Sequence, residues 1–234
     1  MQCVILAGGL GTRMRPLTDT CPKTLLPVSG RPFAYHQMHW LAAQGITDVV
    51  YSIGHKGEMI RRYWEQEPSP IPSLRYVDEG PALRGTGGAL RLACEQGALD
   101  ESFFVIYGDS FLPVEFAPIW KAFQSSGQPA LMTVLRNEGR WDRSNAIYEN
   151  GHVSLYDKAG APEMQYIDYG LSCLRRGLLH EIDEDVFDLA ALFGALSRRG
   201  QLAGFEVSER FYEVGSPAGL HDLEQYLEAL QPAH

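Results

Sequence analysis

Glycines and cations stand close together near the amino end of the chain. Residues 8–13 read GGLGTR, and Lys23 follows shortly after. Glycine lets backbone N–H groups approach phosphate oxygens closely, and a concave run of such donors binds anions. The stretch therefore predicts a phosphate-binding loop, with a plain glycine turn and solvated arginines as the alternative. Neither a Walker loop nor a dinucleotide fingerprint fits, because no lysine directly follows the glycines and Met14 stands where the latter needs its third glycine.

The charge of the chain is unevenly distributed. The net charge over 234 residues is −9. Residues 8–31 carry four basic side chains against one acid, which gives the segment +3 and leaves −12 for the remainder. An acidic protein lacks the basic face that nucleic-acid or anionic-lipid binding needs. A locally positive, glycine-rich segment instead predicts a small anionic ligand held at one place.

Asp109 is the first candidate for a metal ligand. It follows the apolar run 103–107, which predicts a strand. The carboxyl ends of parallel strands face the crevice where α/β proteins bind ligands. Mg²⁺ takes carboxylate oxygens together with phosphate oxygens, so one or two acids suffice. The alternative is an aspartate that only caps the following turn.

The elements that must position these residues alternate along the first 136 residues. Predicted strands cover 3–7, 49–53, 74–77, 103–107 and 130–135, and predicted helices cover 32–44, 56–66, 86–96 and 114–125. This alternation predicts an α/β fold with a mostly parallel sheet sandwiched by helices. Beyond residue 137, an Asn-Gly hairpin over 145–156, a strand over 166–174 and helices over 188–199 and 217–230 predict a smaller α+β lobe. We expect one domain, 1–234, with parts 1–136 and 137–234.

The longer stretches LAGGLGTRMRPLT (6–18) and PKTLLPV (22–28) closely resemble the signature of the sugar nucleotidylyltransferases. These enzymes have a Rossmann-like fold and join a nucleoside triphosphate to a sugar 1-phosphate. The resemblance implies that Arg13 steadies the triphosphate and that Lys23 bridges the reacting phosphates. Thr24 stands where proline is frequent. GTGGAL (85–90) resembles the family's second glycine segment, near base and ribose, although a simple helix start explains those glycines equally well.

The resemblance extends to individual site residues. It implies three catalytic residues, Arg13, Lys23 and Asp109. Implied nucleotide contacts are Leu6, Ala7, Gly8, Gly9, Gly11, Thr12, Arg13, Glu79, Gly85, Thr86 and Gly87. The segment 78–84 before GTGGAL is longer than the usual spacer. FYEVGSP (211–217) resembles the motif of a second metal carboxylate, so that Asp109 and Glu213 would hold Mg²⁺; aspartate is the frequent residue at position 213.

The part from 137 onward carries the implied sugar-phosphate contacts. They are Lys158, Asp157, Asp168, Gly170 and Asn145. Asp157 stands where the family has glutamate, and Asp168 where asparagine is common. The pair Asp157-Lys158 implies an acid on a sugar hydroxyl and a compact cation on the sugar phosphate.

Substrates, partners and location complete the expectations. Among short family members, the chain most resembles the D-glycero-D-manno-heptose 1-phosphate guanylyltransferases, which implies GTP and a manno-heptose 1-phosphate. UTP, dTTP or CTP with another sugar 1-phosphate remains an alternative, as does a non-catalytic regulatory subunit that binds nucleotide sugars. Four scattered cysteines without a C-x-x-C pair and no signal peptide predict free thiols and the cytoplasm. No nucleic acid or membrane partner is expected; a homo-oligomer is possible.

Overall fold

The computed structural model describes residues 1–141, 143–182 and 184–230. The strands are β1 (Gln2–Ala7), β2 (Pro27–Val28), β3 (Arg31–Pro32), β4 (Asp48–Ile53), β5 (Ser73–Asp78), β6 (Ser102–Tyr107), β7 (Ser110–Phe111), β8 (Ala130–Arg136), β9 (Ala146–Glu149), β10 (His152–Tyr156), β11 (Tyr166–Arg175), β12 (Leu202–Val207) and β13 (Tyr212–Glu213). The α-helices are α1 (Phe33–Ala43), α2 (Gly57–Gln66), α3 (Gly85–Glu95), α4 (Phe116–Ser126), α5 (Leu189–Arg198) and α6 (Pro217–Leu230).

One sheet runs through the molecule. In the described part of the chain, nine strands join in the order β5-β4-β1-β6-β11-β8-β12-β10-β9. The pairing directions make every strand of this sheet parallel to β1 except β11 and β10. The expectation of a mostly parallel mixed sheet is therefore confirmed. The strands of the second part extend this sheet, and β11 lies between β6 and β8 of the first part.

Helices cover both faces of the sheet, as the alternation predicts. Successive side chains of β1 point to opposite faces, so Cys3 and Ile5 join one buried cluster and Val4 the other. The first cluster is closed by α1, α2 and α4, and the second by α3 and α5. Among the helices of the described ranges, none has the length and apolar character that crossing a bilayer requires.

The predicted Asn-Gly hairpin is confirmed, and one strand of the nine-stranded sheet was missed. Asn150 and Gly151 both have positive φ angles, 51° and 82°, as the tightest hairpin turns require. The missed strand is β12, in the sequence LAGFEV. Its Gly204 is needed because a Cβ there would lie 2.6 Å from the ring of Tyr148. The short pair β7 and β13 was also not predicted.

A bulge in β11 shapes the edge where the predicted site residues meet. The register against β8 shifts between Asp168 and Ser172. Gly170 lies within this bulge at a φ of 93°, a conformation that glycine adopts without strain. Because β11 runs against β6, its amino-terminal half reaches the same edge as the carboxyl ends of β1, β5 and β6.

Candidate active site

The glycine loop forms the first wall of a cleft at this edge. Gly11 has a φ of 64°, and its carbonyl accepts hydrogen bonds from the Met14 N–H at 3.0 Å and the Thr18 hydroxyl at 2.8 Å. A Cβ on Gly11 would press within 3.3 Å of Lys23 Cγ. The turn is therefore tight, and it holds the Lys23 stem against the loop.

The cleft brings together most of the residues that the sequence assigned to nucleotide binding. Its lining comprises Leu6, Ala7, Gly8, Gly9, Gly11, Pro22, Lys23, Thr24, Glu79, Leu83, Gly85, Thr86, Ala89, Tyr107, Gly108, Asp109 and Asp188. Three of the predicted residues are placed elsewhere. Thr12 and Arg13 are exposed on the turn that follows the glycines. Gly87 faces Phe187, whose ring a Cβ at that position would meet at 2.1 Å.

Lys23 and Asp109 form an ion pair on the floor of the cleft. Lys23 Nζ lies 2.9 Å from Asp109 Oδ2, and both side chains are largely shielded from solvent. Gln37 holds the adjacent backbone, since its Nε2 donates to the carbonyls of Tyr107 at 2.9 Å and Ser110 at 2.8 Å. Thr24 donates its hydroxyl to the Gly108 carbonyl at 3.0 Å. Thr24, which stands where the family often has proline, therefore holds the backbone next to Asp109, the candidate metal ligand.

Backbone hydrogen bonds hold the segment that carries Glu213 next to Asp109. β13 pairs with β7, and the Val214 N–H donates to the Asp109 carbonyl at 2.9 Å. The Glu213 carboxylate folds toward Gly215, where both oxygens lie within 3.3 Å of the place a Cβ would take. Within the described ranges, no group of three or more His, Cys, Asp or Glu residues could hold a metal. The Asp109 carboxylate nevertheless fits Mg²⁺, which is usually held by one or two carboxylates plus substrate phosphates.

Glu79 lines the cleft directly after β5. Its Oε1 is 2.3 Å from where a Gly8 Cβ would lie, so only glycine leaves room for the carboxylate there. Its Oε2 accepts the Arg84 N–H at 2.9 Å. Burial raises the pKa of Glu79, and that hydrogen bond and the Arg84 charge oppose the rise.

Asp168 is the centre of the sugar-side residues. Its Oδ1 accepts the Gly170 N–H at 2.9 Å, and its Oδ2 lies 3.4 Å from the Tyr156 hydroxyl. Burial raises the pKa of Asp168 to about 6, against the opposing hydrogen bonds and the positive charge of Lys158. Asn145 Oδ1 accepts the Asp168 N–H at 2.8 Å. Asn145 therefore positions the strand that carries Asp168.

The neighbouring Asp157-Lys158 pair lies at the end of β10. The Asp157 N–H donates to the Asn145 carbonyl at 3.0 Å, which ties this end to the loop before β9. The Asp157 carboxylate is exposed and accepts the Ala159 N–H at 2.9 Å. Lys158 is close enough to Asp168 to lower the pKa of that carboxyl. The five predicted sugar-side residues therefore occupy one connected region.

Tyr107 and Asp188 are two cleft residues with polar side chains that were not among the predicted site residues. Burial raises the pKa of the Tyr107 phenol, and the carboxylates of Asp168, Asp109 and Asp188 raise it further, so Tyr107 lies where the two parts meet. Asp188 Oδ1 accepts the Thr86 N–H at 3.3 Å. An aspartate directly before a helix indicates a cap, which explains why Asp188 was missed.

A glycine-lined cleft with a facing lysine and aspartate, at the carboxyl ends of a mostly parallel sheet, is typical of α/β proteins that bind phosphorylated ligands. The chain belongs to the nucleotidyl transferase family, whose model matches residues 2–145.

Known relatives agree with this assignment. A mannose-1-phosphate guanyltransferase of Emericella nidulans is 30% identical over 227 residues, which cover 93% of this chain and 61% of that protein. The chain thus spans about three fifths of the relative's length. The crystal structure of HddC from Yersinia pseudotuberculosis, complexed with GMP-PN, has a TM-score of 0.80 at 23% identity, covering 97% of this chain and 99% of that one. A putative glucose-1-phosphate thymidylyltransferase from Bacillus anthracis has a TM-score of 0.81 at 21% identity, covering 100% and 98%.

Proposed function

We propose that this protein transfers a nucleotidyl group from a nucleoside triphosphate to a sugar 1-phosphate and releases pyrophosphate. The observation that carries the proposal is the Lys23–Asp109 pair on the floor of a glycine-lined cleft. The pair offers a cation for phosphate oxygens and a carboxylate for a divalent metal. Membership of the nucleotidyl transferase family supports the same reaction.

The reaction needs no nucleophile from the protein. A phosphate oxygen of the sugar 1-phosphate attacks the α-phosphorus, the bond to the β-phosphate oxygen breaks, and pyrophosphate departs. The glycine N–H groups and Arg13 hold the β- and γ-phosphates, while Lys23 and Lys158 orient the attacking phosphate. Such a site works by positioning and by neutralising charge. Asp109, together with Glu213 directly or through water, would hold Mg²⁺, which would supply further charge neutralisation for the phosphates.

Glu79 supports guanine as the base. An ionised carboxylate only accepts hydrogen bonds, and guanine presents two adjacent donors, its ring N–H and its amino group. Uracil, thymine and cytosine lack this pair on one edge. The guanyltransferase relative is consistent with GTP. For the sugar, we propose a manno-configured 1-phosphate, with the manno-heptose first and mannose second, bound by Asn145, Asp157, Asp168 and Gly170.

The decisive test is a matrix of the five common nucleoside triphosphates against several sugar 1-phosphates, with pyrophosphate release as the readout. GTP with a manno-configured sugar 1-phosphate should give the fastest release. Asp109→Ala should abolish it while the fold survives, and Arg13→Ala should slow it about 10²-fold if the arginine stabilises transition-state charge. Asp100→Ala, an exposed aspartate at the other end of β6, is the matched control. Normal release by Asp109→Ala would refute the metal assignment; nucleotide binding without release in any combination would favour a regulatory subunit.

Location and assembly are part of the same proposal. Free Cys3, Cys21, Cys94 and Cys173 suit the reducing cytoplasm. The acidic net charge argues against nucleic-acid or anionic-membrane partners. A homo-oligomer remains a proposal to be tested by the mass of the protein in solution.

A further inference from the structure

Asp188 lies at the start of α5, yet it does not cap that helix. The Asp188 side chain accepts no N–H of α5, and the first N–H of that helix, that of Leu189, donates to the Thr86 hydroxyl at 2.8 Å. The Asp188 side chain turns toward α3, where Oδ1 accepts the Thr86 N–H. Thr86 and Asp188 thus each accept an N–H from the first turn of the other's helix. The Asp188 carboxylate remains exposed in the wall of the cleft.

The position of Asp188 along the cleft indicates which part of a nucleotide it meets. Glu79, which we assign to the base, precedes α3, and Thr86 is the second residue of that helix. Tyr107 lines the same cleft as Asp188, the Asp188 charge raises its pKa, and only Gly108 separates it from Asp109 at the α-phosphate end. Asp188 is therefore close both to the first turn of α3 and to the end of β6, two residues before Asp109. The ribose of a nucleotide joins base to α-phosphate across this interval.

On the basis of the proposed nucleotide binding, we propose that Asp188 binds a ribose hydroxyl and selects ribonucleotides over deoxyribonucleotides. A carboxylate accepts a hydrogen bond from a hydroxyl, and it repels phosphate, so it suits the ribose portion of a triphosphate and not its phosphates. A deoxy analogue leaves this acceptor without its partner. Tyr107 lines the same cleft, and its phenol would donate a hydrogen bond to the same sugar.

The test measures the affinity of GTP, 2′-deoxy-GTP and 3′-deoxy-GTP by calorimetry with Mg²⁺ present. A hydrogen bond to a charged group corresponds to a factor of about ten or more in affinity. The unaltered protein should bind GTP at least about tenfold more tightly than one of the two analogues. In Asp188→Ala that ratio should fall toward one. Loss of a negative charge raises the affinity for every triphosphate alike, so the ratio isolates the hydroxyl contact.

Glu184→Ala is the matched control, because Glu184 is an exposed acid on the same segment and contacts Arg91 only through its backbone carbonyl. It should keep the full ratio. An Asp188→Ala protein with an unchanged ratio would overturn the assignment and leave Asp188 as a structural link to Thr86. An unaltered protein that binds GTP without discriminating the analogues would overturn it as well. Absence of binding by any nucleotide would instead refute the proposed function itself, and this inference with it.

Discussion

Gly87 provides a sharp test of how the second glycine segment is built. A Cβ at Gly87 would lie 2.1 Å from Cε2 and 2.3 Å from Cδ2 of Phe187. Ordinary carbon contacts are about 3.5–4.0 Å, so Gly87→Ala must push the ring away. The Phe187 carbonyl also accepts the N–H groups of Gly87 at 2.9 Å and Gly88 at 3.2 Å. The substitution therefore affects both the Phe187 side chain and the backbone of residues 184–188.

The magnitude follows from what the ring and the segment lose. Full burial of a phenylalanine stabilises by about 1.5–3 kcal/mol, and Phe187 is only partly buried, so its displacement costs about 1–1.5 kcal/mol. Each backbone hydrogen bond lost adds about 1 kcal/mol. Alanine regains about 0.5–1 kcal/mol over glycine in a helix. With one of the two hydrogen bonds lost, we expect Gly87→Ala to lower the free energy of unfolding by about 1–2 kcal/mol.

The assay is urea unfolding of the single and double substitutions. In the Phe187→Ala background the steric cost disappears, so Gly87→Ala should become neutral or stabilising by about 0.5–1 kcal/mol. Gly177→Ala is the matched control, because nothing lies within 4 Å of its Cβ position, and it should shift stability by less than about 0.5 kcal/mol. Equal costs of Gly87→Ala in both backgrounds would refute the contact with Phe187.

Two further substitutions test the electrostatics of the cleft. The pKa of Asp168 is raised from 3.8 to about 6, so its ionisation opposes folding and its contribution to stability declines as pH rises through that interval. Asp168→Asn should therefore stabilise the protein by about 1–3 kcal/mol at pH 7.5 and have little effect below pH ~4, as measured by unfolding at both pH values. Asp157→Asn, at an exposed aspartate, serves as the control. An equal gain in stability at both pH values would contradict the reasoning. Glu79→Gln should weaken GTP binding about tenfold or more without weakening UTP binding, as measured by calorimetry; parallel losses would exclude base recognition by Glu79.

Much of the fold follows from the sequence because strands and helices alternate with clear boundaries. β1 is an apolar run that ends at glycine, and α1 begins after Pro32 and ends before Gly45. β12 lacks such a pattern. Gly204 interrupts it, and the requirement for that glycine comes from Tyr148, which is distant in sequence. The two-residue strands β7 and β13 depend on each other and carry no local signal.

The candidate site divides in the same way. The glycine loop and Asp109 closely follow the ends of predicted strands, and resemblance places Lys23 with them. Asp188 is different, because its local sequence indicates a helix cap and only the Thr86 hydroxyl, from another helix, changes its role. Arg13 was assigned to phosphate binding by resemblance. Its side chain is exposed and lies outside the cleft lining, so the contact with phosphate stays a prediction.

The placement of β11 between β6 and β8 has a consequence for how the chain is made and inherited. A nascent chain that has emerged only to residue 136 contains both strands that flank this central position, but not the strand that fills it. The sheet is continuous only once β11 has left the ribosome and paired with both β6 and β8. β8 gains its second neighbour only when β12 follows. Recombination between relatives at the boundary of the two predicted parts would separate strands that lie side by side. We therefore expect the parts to be inherited together and not to be exchanged as independent cassettes.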